Sequence, residues 1–179
     1  MPIKIKKGDT KMNLQDVVSA ENYKEVLQLV SFKIGNEEFG VDILQVQEIN
    51  RLVEVTRVPN APDFVEGVMN LRGRIVPVVN LRKRLGLEKR ENDKDTRIVV
   101  VEIEGKTIGF IVDSVSEVLR VPKSVVEPPP ELISGIDSEY IIGIAKLENR
   151  LLILLDLKKV LNVEERETLK EVFSHSDEN

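Results

Sequence analysis

Few residues in this chain could do covalent or metal chemistry. There is no cysteine and a single histidine, His175, in the C-terminal tail. Thiolate nucleophiles, disulfides and thiolate metal sites are therefore excluded, and histidine-based catalysis and His-cluster metal sites nearly so. The ten glycines are scattered and form neither GxxxxGK nor GxGxxG, so no phosphate-cradling loop is legible. No serine sits in a nucleophile elbow. Asp42, Asp113 and Asp156 do not make a calcium loop. Carboxylates are abundant, but without a second signature they are weak evidence for glycosidase-like work. An enzyme is the least favoured class, and neither a cofactor nor a metal is expected.

What remains is charge placed for recognition. In Asn70-Leu-Arg-Gly73 the Arg72 guanidinium stands at a predicted hairpin tip. Its planar fork can pair with a carboxylate of this chain or of a partner, or it can be an ordinary surface arginine; the residues leave these readings open. Glu48 follows Val46 by two residues, which in a regular strand puts both on one face. From Arg72 to Arg90 there are seven basic residues and one acid, Glu88. A basic barrel edge could meet RNA. Aromatics are only 4% of the chain, however, and no strand carries a stacking pair, so nucleic-acid binding is not expected. Arg82, Lys83 and Arg84 read as the solvated face of a short helix capped by Gly86.

The positioning elements are short and β-rich. The 179 residues carry a net charge of −5, with 41% hydrophobic and 32% charged residues, which fits a globular chain with a real core. No run approaches the roughly 18 apolar residues of a membrane span, and no signal peptide is legible, so the expected location is cytoplasmic without direct membrane insertion. Runs at 26–34, 38–42, 64–71, 75–81, 97–103, 107–112, 115–121, 141–147 and 151–157 read as strands, being short and rich in β-branched residues. Helical spacing is expected over 12–26, with Asn13 as cap, from Asp156 onward, and over 164–171. Pro128-Pro-Pro130 is a stiff segment that cannot lie in a central strand.

The most informative pattern is an internal repeat. Residues 34–49 match 103–118 when Ile34 is laid on Ile103, an offset of 69; Gly40 meets Gly109 and Glu48 meets Glu117. Residues 67–85 match 143–161 when Gly67 is laid on Gly143, an offset of 76; Arg74 meets Arg150 and Asn80 meets Asp156. Two similar halves of short strands predict two similar small sheets or barrels, each small for an independent core, which are expected to pack together and share apolar surface. Duplication also supplies an internal control. Gly73 and Asn149 both suit a positive φ at equivalent turns, whereas Arg72 against Glu148 is a charge reversal that turn geometry does not explain.

The segments Glu38–Ile49 and Val58–Leu81, with Gly-Val-Met-Asn-Leu-Arg-Gly-Arg-Ile-Val-Pro over 67–77, resemble the chemotaxis coupling (adaptor) protein family CheW across roughly residues 26–162. The resemblance implies a mainly β fold: two SH3-like five-stranded barrels related by internal duplication, with short helices at the termini. It divides the chain into an extension (1–25), a CheW-like domain (26–162) and a charged C-terminal helix and tail (163–179). The domain would consist of barrels at about 26–90 and 91–162, with strand exchange between them left open. It further implies a non-catalytic adaptor joining the cytoplasmic tip of methyl-accepting chemotaxis receptors to the regulatory domain of the histidine kinase CheA, recruited to membrane-associated receptor arrays. By resemblance Val46, Glu48, Arg72 and Gly73 bind receptor and Gly67 shapes the groove; Asn50 stands where the family frequently has arginine. The alternatives are a regulatory or coupling domain of a larger chemotaxis protein and, more remotely, a double barrel that binds RNA or a small ligand.

Overall fold

The computed structural model describes residues 25–130, 139–162 and 164–169. The helix expected over 12–26, apart from its last two residues, and the tail from residue 170, with His175, lie outside the described residues. The elements run β1 (Val26–Ile34), β2 (Glu37–Asp42), a 3-10 turn (Ile43–Gln45), β3 (Val46–Arg51), β4 (Val65–Leu71), β5 (Arg74–Asn80) and α1 (Leu81–Arg84). They continue through β6 (Arg97–Ile103), β7 (Lys106–Val112), β8 (Ser114–Pro122), a second 3-10 turn (Lys123–Val125), β9 (Val126–Glu127), β10 (Ile141–Lys146), β11 (Leu151–Leu155) and α2 (Leu157–Val160). Residues 164–169 are helical and are called α3.

The fold is mainly β, built as two sheets of order β8-β1-β2-β11-β10-β9 and β3-β6-β7-β5-β4. Substituting each strand by its repeat mate (β1 for β6, β2 for β7, β3 for β8, β4 for β10, β5 for β11) converts one order into the other. Each sheet thus takes its opening hairpin from one half of the sequence and its remaining long strands from the other. The register obeys the same rule. Gly40 of β2 lies parallel to Leu154 of β11, and Gly109 of β7 lies parallel to Val78 of β5. Each sheet then curls shut. Thr56, beyond β3, exchanges two 2.8 Å backbone hydrogen bonds with Val68 of β4, and β9, beyond β8, pairs with β10. These are two SH3-like barrels.

Three apolar layers follow. Val30, Phe32, Val41, Val99, Val101, Phe110 and Leu155 belong to a central layer shared by both sheets. Met69, Val76, Val78, Ile98 and Val100 fill one barrel, and Leu29, Val121, Ala145, Leu152 and Leu154 the other. A strand such as β6 is therefore buried on both faces, which is why Ile98-Val-Val-Val101 reads as an unbroken apolar run rather than an alternation. Complete burial of each such side chain contributes about 1.5–3 kcal/mol.

The structure differs from the sequence reading in four places, of which three concern the elements and one, the faces of Val46 and Glu48, concerns the site. First, β3 is a strand although Gln47, Glu48, Asn50 and Arg51 dilute its apolar character; it is half-exposed and held by pairing with β6. Second, α1 does not offer a solvated basic face. Arg82 pairs with Asp113 at 2.6 Å, Lys83 with Glu66 at 3.2 Å, and Arg84 donates to Glu165 of α3 at 3.0 Å, all three cations being mostly buried. A helix of four residues needs such outside partners, and Asn80 adds the N-cap by accepting from the Lys83 amide. Third, the turn at Glu148-Asn149 has no left-handed residue, whereas Arg72 and Gly73 are both left-handed, with φ of 50° and 82°.

Asp113, between β7 and β8, is the polar junction of the two sheets. It accepts from the Gly35 amide of the β1–β2 turn at 2.7 Å, from Arg82 at 2.6 Å and from Arg90 at 3.2 Å. Burial pushes its carboxyl up, but the hydrogen bonds from Arg82 and Gly35 and the charges of Arg82 and Arg90 outweigh this and hold it below the usual carboxylate range. A depressed folded-state value stabilises the fold above the ordinary Asp pKa, and that contribution is lost as pH falls through the depressed one. Asp113→Asn is expected to lower stability by about 2–3 kcal/mol near neutrality and less in acid, as read by urea unfolding at several pH values. An equal loss at all pH values would refute the charge-based account.

Candidate functional site

The β4–β5 hairpin builds the exposed charge of the candidate site. Leu71 pairs with Arg74, leaving Arg72 and Gly73 as the two central residues of a type I′ turn. Asn70 fixes the turn by accepting from the Gly73 amide at 2.8 Å. Glycine meets the positive φ at no steric cost, while Arg72 carries modest strain, and together they lift the guanidinium clear of the sheet. The Arg72 side chain is 74% exposed, and its Nη2 lies 2.6 Å from Glu48 Oε2 on β3. Asn50 Nδ2 donates to the other carboxylate oxygen at 3.1 Å. The Arg72 hydrogen bond, the Asn50 hydrogen bond and the Arg72 charge hold the Glu48 carboxyl below its ordinary range against a smaller opposing effect of burial.

Glu48 and Arg72 are thus brought together, and Asn50 supports the same carboxylate as a neutral donor. Val46 is separated from them by a feature that the two-residue spacing hides. A bulge at Gln47 sets Val46 opposite Val101 and Glu48 opposite Val100, so the two residues do not share a face. Val46 packs against the central layer. Its neighbours Leu44 and Ile49 are exposed apolar residues, Leu44 at 89%.

Gly67 lies under the surface rather than on it. Its φ is 147°, and a Cβ there would stand 2.0 Å from the Thr56 carbonyl oxygen. This is the point where the chain beyond β3 crosses β4 to close the barrel. At Gly143, its repeat mate, a Cβ would stand 2.8 Å from the Glu127 carbonyl oxygen, so the close approach recurs in the second barrel.

The second half handles the same carboxylate differently. Glu117, the mate of Glu48, pairs with Arg150 at 3.2 Å, and Arg150 also pairs with Glu38 at 3.0 Å. Arg150 is the mate of Arg74, not of Arg72. Among the described residues no group of three or more His, Cys, Asp or Glu could hold a metal ion, and no helix is long and apolar enough to cross a membrane.

Gly73→Ala is expected to cost about 1 kcal/mol, because open space surrounds the site and only backbone strain is added. Gly67→Ala is expected to cost more than about 3 kcal/mol, because backbone must move. Comparable thermal midpoints for the two variants would contradict this assignment. Arg72→Gln is expected to raise the Glu48 titration midpoint toward that of an ordinary glutamate in NMR titrations; an unchanged midpoint would show that the pair does not persist in solution.

Comparisons with known proteins agree with this architecture. Residues 28–165 match the model of the CheW-like domain. The chain is 41% identical over 138 residues to the chemotaxis protein CheW of Klebsiella aerogenes, covering 77% of this chain and 83% of that protein. It is 34% identical over 155 residues to the chemotaxis protein CheW of Thermotoga maritima, covering 85% of this chain and 96% of that protein. The crystal structure of the scaffolding protein TtCheW from Thermoanaerobacter tengcongensis superposes with a TM-score of 0.72 at 40% identity, over 79% of this chain and 96% of that one.

Proposed function

The chain belongs to the CheW-like family, and we propose that within it the chain is a non-catalytic scaffold coupling methyl-accepting chemotaxis receptors to the histidine kinase CheA. Its role lies in chemotaxis signalling complexes. The finer reading assigns the receptor's helical cytoplasmic tip to the surface around β3 and the β4–β5 turn, and the kinase regulatory domain to apolar barrel ends. Through these contacts the chain is recruited beneath membrane-bound receptor arrays.

The observation that carries this reading is the Arg72–Glu48 pair, its guanidinium exposed at the turn tip, on a strand whose other face leaves Ile49 partly open to solvent. An amphipathic helix docks by laying apolar side chains on such a surface, while charges fix its orientation. An exposed ion pair contributes only about 0.2–1 kcal/mol, so a partner's carboxylate can compete for Arg72 at little cost. Gly73 holds the turn in shape, and Gly67 lets the barrel close beneath it. Signalling then requires no bond chemistry. The scaffold touches two partners at once, and weak contacts are strengthened by repetition in an array.

The test is reconstitution of this chain with receptor and CheA, measuring receptor-controlled kinase phosphorylation. Arg72→Glu is expected to lower that coupling at least tenfold with an unchanged circular dichroism spectrum, since position 72 already accommodates a non-glycine residue at positive φ. Combining it with Glu48→Arg restores the internal pair. Recovery of the pair without recovery of coupling would assign Arg72 to the partner, and full recovery would assign it to the fold. Absence of any binding to receptor or kinase would remove the proposal.

A further inference from the structure

Among the described residues, the duplicated halves differ at one arginine in a way that leaves its charge without a carboxylate partner. Arg150 at the start of β11 is neutralised by two carboxylates, Glu38 and Glu117. Its mate Arg74, at the start of β5, has neither. The residue equivalent to Glu38 is Thr107, and the residue equivalent to Glu117 is Glu48, which is taken by Arg72. The Arg74 guanidinium donates a 3.0 Å hydrogen bond from Nη2 to Thr107 Oγ1, a neutral group. Arg74 also stands at the mouth of a cleft of about 370 Å³ between the β4–β5 hairpin, the β6–β7 hairpin and α3. Ile75, Pro77, Ile108 and Leu169 supply apolar lining. Among the described residues the one carboxylate in the lining, Glu104, is bound by Arg166 at 2.6 Å.

A hollow with an apolar patch and a basic rim, where among the described residues the Arg74 guanidinium meets only a neutral hydroxyl, fits a group that is apolar at one end and anionic at the other. We propose that this cleft binds an acidic peptide segment of another protein, with a large apolar side chain on the Ile75–Pro77–Ile108 lining and an adjacent carboxylate on Arg74. The guanidinium fork suits a carboxylate bidentately, and a surrounding protein of net charge −5 gives no general attraction for acidic peptides, so the local contact sets the selectivity. This cleft borders the proposed receptor surface at Gly73 but includes neither Glu48 nor Arg72, and its test contains neither receptor nor kinase.

The probe is the peptide Gly-Ser-Phe-Glu-Asp-Gly, titrated into the full isotope-labelled chain and followed by amide chemical shifts. Shifts centred on Ile75, Thr107 and Ile108 are expected. The neutral analogue with Gln and Asn for the two acids, and the analogue with Ala for Phe, are each expected to bind at least tenfold more weakly. Thr107→Glu installs the carboxylate that Glu38 supplies in the other half and is expected to weaken binding at least tenfold, as is Arg74→Gln. Equal binding of acidic and neutral peptides to the unsubstituted chain would overturn the proposal whatever the variants do. So would shifts located elsewhere, or the same resonances moving with protein concentration alone, which would identify a second copy as the occupant.

Discussion

The central apolar layer is the constraint on which the rest depends. Each barrel has its own small interior, yet Phe32, Val99, Phe110 and Leu155 lie between the barrels and serve both. Neither sheet can be completed by one half of the sequence, because each borrows its opening hairpin from the other. Burial on both faces of β1 and β6 follows, and so does the fixed relation of the two barrels. A scaffold that reports one partner's position to another needs such rigidity, and here it arises from shared strands rather than from a linker.

On this symmetrical frame the charges are distributed unevenly. The bulges recur at equivalent places, at Gln47 in β3 and Ser116 in β8, and at Glu66 in β4 and Ile142 in β10. The close approaches at Gly67 and Gly143 recur as well. The ion pairs do not. Glu48 meets the arginine at a turn tip, and Glu117 meets the arginine one strand position beyond the turn. The backbone is duplicated and the electrostatic surface has diverged.

Much of this was legible in the sequence, and the reasons for the remainder are physical. The offsets of 69 and 76 carried the equivalence of the strands, because paired glycines and apolar registers are dictated by backbone geometry. The runs at 97–103 and 107–112 were clear because two-sided burial leaves them almost without polar residues. β3 was hidden because one of its faces meets solvent and its bulge breaks the alternation on which strand reading rests, and the same bulge misled the placement of Val46 and Glu48. The basic residues of α1 looked solvated because their carboxylate partners, Asp113, Glu66 and Glu165, are supplied by distant segments. Asn149 looked like the counterpart of Gly73, but tolerance of a positive φ is not a requirement for it.

The exchanged hairpin also governs when this protein can become itself. The β1–β2 hairpin leaves the ribosome before any other described strand, but its neighbours in the finished sheet, β8 and β11, are among the last. Until Leu155 has emerged, the parallel edge of β2 stays open to pairing with other chains. The strand arrangement that makes the mature scaffold rigid therefore makes its synthesis an interval of exposure, longest for the segment made first.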